Sequence, residues 1–303
     1  MFVESAFARA GLTIERLRAF CKIAEAGSIV LAANGDPTRQ SQFSRQVKEL
    51  EDALGTKLVE RAGKSIRLTD DGRKLALLAQ SFFHSIEEMR TAAERRVALR
   101  IGAAESVLRW LLVPKIQDLR RLSPGVRFEF QTQRTAQLVE GVMTGRLDMI
   151  IIREDAADDS LKILPCGSMN YVFVVPRALV PGRTAAGFQL LPTIPFAMLS
   201  GDGILTKNIL NLAKKTGVNL DVQIEAENIS LLIAAIKNAD FAAIIPAPAL
   251  ADLSKEQFTV VEIDDMKMLT RELVLAYSPE AAQLRESIRG LAPRISALIQ
   301  RAR

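Results

Sequence analysis

Histidine and cysteine are nearly missing: His84 is the only histidine among 303 residues, and Cys21 and Cys166 are the only cysteines. One histidine and two distant thiols cannot build a histidine–serine–acid set or a zinc cluster. Two cysteines also exclude a disulfide scaffold and point to a reducing compartment. Long apolar runs are lacking as well. The most apolar stretch, Leu231 to Leu253, is broken by Lys237, Asp240 and further prolines and charges, so it cannot span a bilayer. The opening MFVESAFARAGL carries an acid at Glu4 and no apolar segment of secretory length. Gly201-Asp202-Gly203 is a loop without the glycine-rich surroundings of a phosphate cradle. These absences predict a cytoplasmic protein that is not an enzyme, has no metal or cofactor and does not enter a membrane.

What is present fits an ordinary globular chain of two or three domains, with 49% hydrophobic and 25% charged residues. A net charge of +5 is compatible with nucleic acid but does not establish it. The local pattern is more informative. Thr13 can cap a first helix whose inner face is Leu17, Phe20, Cys21 and Ala24. Gly27 breaks it, and Ser28 caps a short second helix with Ile29, Ala32 and Ala33 inward. A turn at Asn34-Gly35-Asp36-Pro37 opens a third helix, with Phe43, Val47, Leu50 and Leu54 on one face. Its other face and N-terminal end carry Arg39, Gln40, Ser41, Gln42, Ser44, Arg45 and Lys48, groups suited to phosphates and base edges in a major groove. The plainer alternative is the solvated side of an amphipathic helix.

The neighbours favour DNA. After Gly55, residues 57–61 and 65–68 can pair as a hairpin with Leu58, Ile66 and Leu68 inward and Arg61, Lys64 and Arg67 outward. A basic hairpin after such a helix is the wing of a winged helix-turn-helix. Between Pro37 and Arg67 seven cations face four acids, and all the acids but Glu60 lie in the last part of the helix. Thr69 then caps a long helix to about Arg96. Its stripe Leu75, Leu78, Phe82, Ile86, Met89 and Ala93 calls for a partner, most simply the same helix of a second subunit. His84, on this helix, reads as a dimer-surface or solvated residue.

The motifs LRAFCKIAEAGSIVLAA, SQFSRQVKELEDALGTKLVER and IRLTDDGRKL, in this order and spacing, make residues 12 to 100 resemble the DNA-binding domain and linker helix of LysR-type transcriptional regulators. The departure is Asn34 to Pro37, where the family usually continues helix two. The resemblance implies a dimer or tetramer on double-stranded DNA, controlled by a small-molecule effector, with RNA polymerase a further partner open to such a regulator. It implies that Arg39, Gln40, Ser41, Gln42 and Arg45 read or grip the major groove. Ser28 and Lys48 would hold phosphates, and Arg61 with the wing would reach the minor groove.

Beyond the linker, strands and helices alternate. A strand at 100–103, a helix at 107–122 capped by Ser106, a strand from Val126, a helix from Thr135 to Gly145 and a strand at 149–152 form one βαβαβ unit, with the last strand suited to a parallel sheet. A strand at 171–175 precedes a second unit: strand 196–199, helix 204–215, strand 222–224, helix 229–237 and strand 242–245. A strand at 273–277 and a final helix at 280–303, kinked near Pro293, complete the chain. Two α/β lobes place the default ligand site in the cleft between them. With VEGVMTGRLDMII and Ile244-Ile245-Pro246, this portion resembles the family's effector-binding domain, built like a periplasmic binding protein. Ala239-Asp240-Phe241 stands where the family usually has glycines, so a differently shaped loop is expected there.

The expected division is 12–72 for the winged helix-turn-helix and 73–96 for the linker helix. The effector domain is 97–303, with lobe 1 at 97–170 and 271–303 and lobe 2 at 171–270. Ser106 and Thr135 at helix starts and Arg153 after a strand are the effector candidates of lobe 1, and the resemblance agrees. Ser200, Asp202 and Glu225 are those of lobe 2. An arginine with helix N-termini favours a small organic acid. Cys21 reads as core, and Cys166 as a thiol without a nearby partner. The alternatives are a solute-binding protein or an enzyme on the same two-lobed fold.

Overall fold

The computed structural model describes residues 11–62, 65–91, 97–180, 194–201, 203–261 and 264–300. Helix α1 (Ile14–Ala26) starts at Thr13, whose hydroxyl accepts from the Arg16 N–H, and ends at Gly27 in the left-handed conformation. Ser28 caps the four-residue α2 (Ile29–Ala32). The chain then turns through Asn34 and Gly35, both at positive φ, into α3 (Pro37–Leu54). Asp36 caps α3, accepting from the N–H groups of Thr38 at 2.8 Å and Arg39 at 3.3 Å. Val47 and Leu50 join Phe20, Ile23, Leu58, Leu68 and Ala76 in the domain's core. Leu54, expected to point inward, is exposed, because the last turn of α3 runs past the core.

The hairpin pairs β1 (Val59–Ala62) with β2 (Ser65–Leu68). Its ladder sets Arg61 opposite Ile66 and Glu60 opposite Arg67. The Ile66 N–H donates to the Gly27 carbonyl at 3.2 Å, which fastens the wing to the turn before α2.

Thr69 caps the linker helix α4 (Asp70–Thr91) through the Gly72 N–H at 3.0 Å. Gly72 has no room for a side chain: a Cβ there would sit 2.0 Å from the Leu58 carbonyl oxygen. The two long sides of α4 differ. Ala76 packs into the DNA-binding core and Leu77 into lobe 1, whereas Leu78, Phe82, Ile86 and Met89 lie exposed along one stripe, Met89 to 79%. Of the expected stripe, Leu75 belongs to the DNA-binding core and Ala93 lies outside the described residues.

Lobe 1 is built on a five-stranded sheet of order β4-β3-β5-β12-β6. Its strands are β3 (Val97–Ala103), β4 (Val126–Thr132), β5 (Met149–Arg153), β6 (Lys162–Met169) and β12 (Arg271–Tyr277). β3 is parallel to β4 and β5, but β12 runs antiparallel to β5 and β6, so β5 has a parallel neighbour on one side only. Lobe 2 repeats the plan in the order β11-β7-β10-β8-β9. Here β7 is Tyr171–Pro176, β8 Pro195–Leu199, β9 Asp221–Ala226, β10 Ala242–Pro246 and β11 Phe258–Val261. The chain crosses between lobes at Asn170 and Thr270, where the Thr270 hydroxyl donates to Asn170 Oδ1 at 3.1 Å. Strands β6 and β11 escaped the sequence reading, since Pro165 and Gly167 interrupt the first and the second spans only four residues.

Three helical expectations change. The helix after β3 begins at α5 (Glu105–Val107) with Ala104 at its N-cap, so Ser106 caps nothing. It continues as a π segment at Leu108–Leu112 and a 3-10 turn at Val113–Lys115 before α6 (Ile116–Leu122), because Pro114 cannot supply an N–H to a regular helix. The remaining helices of the lobes are α7 (Thr135–Met143), α8 (Ile204–Thr216) and α9 (Ile229–Asn238). The C-terminal helix is two: α10 (Pro279–Leu284) and α11 (Glu286–Gln300), broken at Arg285, with Pro293 inside the second. Before β10, Ala239 is extended at φ −155°, and its carbonyl accepts the Phe241 N–H at 2.9 Å; no left-handed residue stands where the family has glycine.

Candidate functional site

The DNA-facing candidates gather on the first three turns of α3. Arg39, Ser41, Gln42, Ser44, Arg45 and Lys48 are exposed, and Gln40 is half-buried. Asp36 draws Arg39 to 3.7 Å, and Arg45 lies 3.5 Å from Glu49. Ser41 donates to the Pro37 carbonyl at 3.1 Å. Ser28 is only 8% exposed, with its hydroxyl on the Leu31 N–H at 3.4 Å. Of the acids in the helix's second half, Asp52 is exposed, whereas Glu49 and Glu51 are paired. Glu49 pairs with Arg16 at 2.5 Å. Glu51 is buried and accepts from Lys57 Nζ at 2.6 Å and from the N–H groups of Leu58 and Val59. Burial pushes the Glu51 carboxyl up, but these donors outweigh it and hold it below its ordinary value. The wing root is thereby tied to the helix. Lys64 lies outside the described residues, and only the backbone of Arg61 is described.

In the lobes, the parallel register sets the C-terminal ends of β3, β4 and β5 along one edge. Ser106 and Thr135 follow β3 and β4, each half-buried, and Arg153 closes β5. Thr135 is the first residue of α7, where the N-cap is Arg134 and the Gln137 side-chain oxygen accepts the Arg134 N–H at 3.4 Å. Arg153 donates to Asp155 at 3.3 Å. Ser200 follows β8 directly, its N–H on the Ala226 carbonyl at 2.8 Å. Glu225 lies on the exposed face of edge strand β9 with Asp221 and Gln223, and Asp202 is outside the described residues.

Residues that sequence reasoning passed over join the lobes. Arg109 donates to Ser230 Oγ at 2.7 Å and to Asp252 at 3.1 Å. Trp110 buries its ring in the lobe 2 core and donates its Nε1–H to Asp252 at 3.3 Å. Ser230 donates in turn to Glu105. The lone tryptophan, on a predicted helix of lobe 1, was the available signal.

A second missed set fastens the linker helix to lobe 1. Arg285, 2% exposed, donates from Nε to Glu88 of α4 at 2.6 Å, from one terminal nitrogen to Asp148, and from the other to the Ala98 carbonyl at 3.1 Å. Ser287 donates to the same Glu88 oxygen at 2.7 Å. Arg100 places its backbone N–H on Asp148 at 2.7 Å and a guanidinium nitrogen 2.6 Å from His84 Nε2. His84 is therefore neither solvated nor on the exposed stripe. Burial, with Arg100 and Arg285 adding to it, pushes its pKa down to about 3, so the ring is neutral and accepts from Arg100. Burial pushes the Asp148 carboxyl up, and the two arginines pull against it.

A helix-turn-helix with a wing, a linker helix and two α/β lobes in one chain is the arrangement that the comparisons identify. Residues 14–73 match the bacterial regulatory helix-turn-helix protein, lysR family, and residues 92–292 match the LysR substrate binding domain. The chain belongs to the LysR family. As a LysR-type protein it is a transcriptional regulator with a DNA-binding and an effector-binding domain, and not an enzyme; the solute-binding and enzymatic alternatives fall. Among its relatives is a probable hydrogen peroxide-inducible genes activator of Mycobacterium leprae, 26% identical over 220 residues, or 69% of this chain and 70% of that one. A probable nitrogen assimilation transcriptional activator of Synechococcus elongatus is 24% identical and covers 90% and 91%. The fold is similar to a full-length OxyR variant of Pseudomonas aeruginosa, with a TM-score of 0.66 and 20% identity over 94% of each chain. It is also similar to CbnR complexed with its target DNA, with a TM-score of 0.50 and 18% identity, covering 94% and 100%. No helix among the described residues is long and apolar enough to cross a membrane.

Proposed function

We propose that this regulator grips duplex DNA as a dimer, with the N-terminal half of α3 in the major groove and the wing beside it. The observation that carries this reading is the sorting of charge along α3: exposed cations, amides and hydroxyls on its first three turns, and the acids Glu49, Glu51 and Asp52 on its last two, the first two of them paired with Arg16 and Lys57. Arg39, Gln40, Ser41, Gln42, Ser44 and Arg45 contact base edges and the adjoining backbone. Ser28, Lys48, Arg61 and Lys64 hold phosphates and the flanking groove. The exposed stripe Leu78, Phe82, Ile86 and Met89 supports dimerisation through α4, and the family resemblance supports further assembly into a tetramer. Such a protein works in the cytoplasm, with RNA polymerase as a downstream partner and no cofactor.

A small-molecule effector in the lobe cleft, touching Ser106, Thr135, Arg153 and Ser200, is the proposed signal. It acts by binding two arrangements of the oligomer with different affinity. Peroxide is not the signal we favour, although relatives are named for it. Cys21 and Cys166 are both buried, in different domains, and burial pushes each thiol up to about 12, which suppresses the thiolate.

The test is a pair of variants on cognate and random duplexes. Gln42→Ala should relax sequence preference. Lys48→Ala should weaken every duplex alike and reduce the salt slope by about one. Identical, salt-independent behaviour of the two variants would sink the assignment.

A further inference from the structure

Two buried polar atoms where the lobes meet have no hydrogen-bond partner among the described residues: Glu105 Oε2 and Arg271 Nε. Native proteins satisfy nearly all such atoms, because an unsatisfied one keeps its full desolvation cost, the more so when charged. Their positions relate them. β5 is parallel to β3 with Ile151 beside Ala103, the last residue of β3, so Glu105 at the start of α5 and Arg153 at the end of β5 leave the sheet at the same edge. β12 is antiparallel to β5 with Leu273 beside Arg153, which carries Arg271 past the end of β5 on the same edge. Glu105 at the start of α5, Arg153 at the end of β5 and Arg271 at the start of β12 thus make a rank along one edge of the sheet, served by three adjacent strands.

The rank is polar in a definite sense. At its outer end stands Glu105. One of its oxygens takes the Ser230 hydroxyl, and Arg109, which shares Ser230 with it, is committed to Ser230 and Asp252. At its inner end, beside the crossing strands, stand two guanidinium groups. Among the described residues Arg153 has the exposed carboxylate of Asp155 at 3.3 Å, and Arg271 donates to the Met268 and Thr270 carbonyls and to the Asn208 side-chain oxygen at 2.5 Å while Nε goes unused. A plain carboxylate satisfies the inner end and leaves Glu105 unanswered. A molecule bearing a carboxylate and an ammonium group a few bonds apart satisfies both.

We infer that Glu105 is a specificity-determining residue of the effector cleft and that the effector is an amino carboxylate, its carboxylate on Arg153 and Arg271 and its ammonium group on Glu105. The inference rests on the cleft being the effector site and gives that site a chemical class. Ser230 of lobe 2 already touches Glu105, so the ammonium group would sit where the lobes meet.

The experiment is a thermal-shift titration of the full chain with the twenty standard amino acids, and with acetate, propionate, butyrate and succinate as carboxylates lacking the amine. At least one amino acid should raise Tm and bind at least tenfold more tightly than the matching plain acid. Glu105→Gln should abolish that preference, bringing the amino acid and its plain acid to within about twofold of each other, and Arg153→Gln should weaken both. Equal binding of plain acids, an unchanged preference in Glu105→Gln, or no binding by any amino acid would overturn the inference. Salt-dependent retention on duplex DNA, measured on the same preparations, separates that failure from failure of the regulator reading and shows that each variant is folded.

Discussion

Replacing Arg285 by methionine tests the fastening between linker helix and lobe 1. The side chain is fully buried and touches Glu88, Asp148 and the Ala98 carbonyl at once. Methionine fills much of the volume but leaves Asp148, itself 3% exposed, with the side chain and amide of Arg100 as its neighbours. Removing one member of a buried ion pair costs about 3–5 kcal/mol, mostly through the charge left behind. Glu88→Gln in the native background should cost less, about 1 kcal/mol, the difference between a charged and a neutral hydrogen bond. In the Arg285→Met background its sign should change, because Glu88 then lacks the cation that justified its charge. Glu88→Gln should there be neutral or stabilising.

The assay is hydrogen exchange of the Val97–Ala103 amides, which reports lobe 1 without assuming that three domains unfold together. A double-mutant cycle should give a coupling of about 1 kcal/mol or more between Arg285 and Glu88. An equal cost of Glu88→Gln in both backgrounds would refute the argument and reduce the contact to a bystander.

Other consequences follow from single residues. The His84 pKa of about 3 lies below its ordinary 6.5, so the unfolded chain binds more protons between those values. Stability is complete above about pH 6.5 and falls as pH drops toward 3. Between pH 7.5 and 5.5 the loss should be about 1.4 kcal/mol, and it should vanish in His84→Gln, as urea titrations at the two pH values would reveal. Asp36→Asn keeps the cap of α3 but removes a carboxylate beside the proposed phosphate contacts. Affinity for any duplex should rise, with unchanged helix content by circular dichroism; unchanged affinity would place Asp36 away from the backbone. Gly72→Ala drives a methyl into the Leu58 carbonyl and should destabilise the DNA-binding domain by about 3 kcal/mol or more, read from its melting temperature.

The DNA-binding domain was legible because local signals agree there. Thr13, Gly27, Ser28 and Gly55 punctuate helices whose apolar spacing matches the core they build, and even the unusual Gly35-Asp36-Pro37 entry resolves into an N-cap. The lobes were legible where strands are apolar on both faces, as in β5 and β10, and illegible at β6, where proline and glycine sit in a strand flanked on one side only. The helix after β3 defeated the periodicity argument, since α, π and 3-10 turns present no single face. The buried ion network was beyond reach for a different reason. His84, Glu88, Arg100, Asp148 and Arg285 are up to 201 positions apart, and each alone looks like a surface residue.

The two missed clusters share a strand, and that gives the proposed regulation a physical route. At its N-terminal end β3 offers the Ala98 carbonyl to Arg285 and the Arg100 side chain to Asp148 and His84. Just beyond its C-terminal end stands Glu105, in contact with Ser230 of the other lobe. A seven-residue strand paired on both sides is a stiff element of roughly 20 Å. A change in how Glu105 meets lobe 2 thus bears, through β3, on the pocket that holds Glu88 and with it the linker helix. The test of this route is energetic coupling between its two ends. The decisive comparison is DNA affinity in Glu105→Gln, Glu88→Gln and the double variant. If β3 carries the signal, the effect of Glu105→Gln should be smaller once Glu88 no longer anchors the linker helix. Independent effects would mean that cleft and linker helix are governed separately.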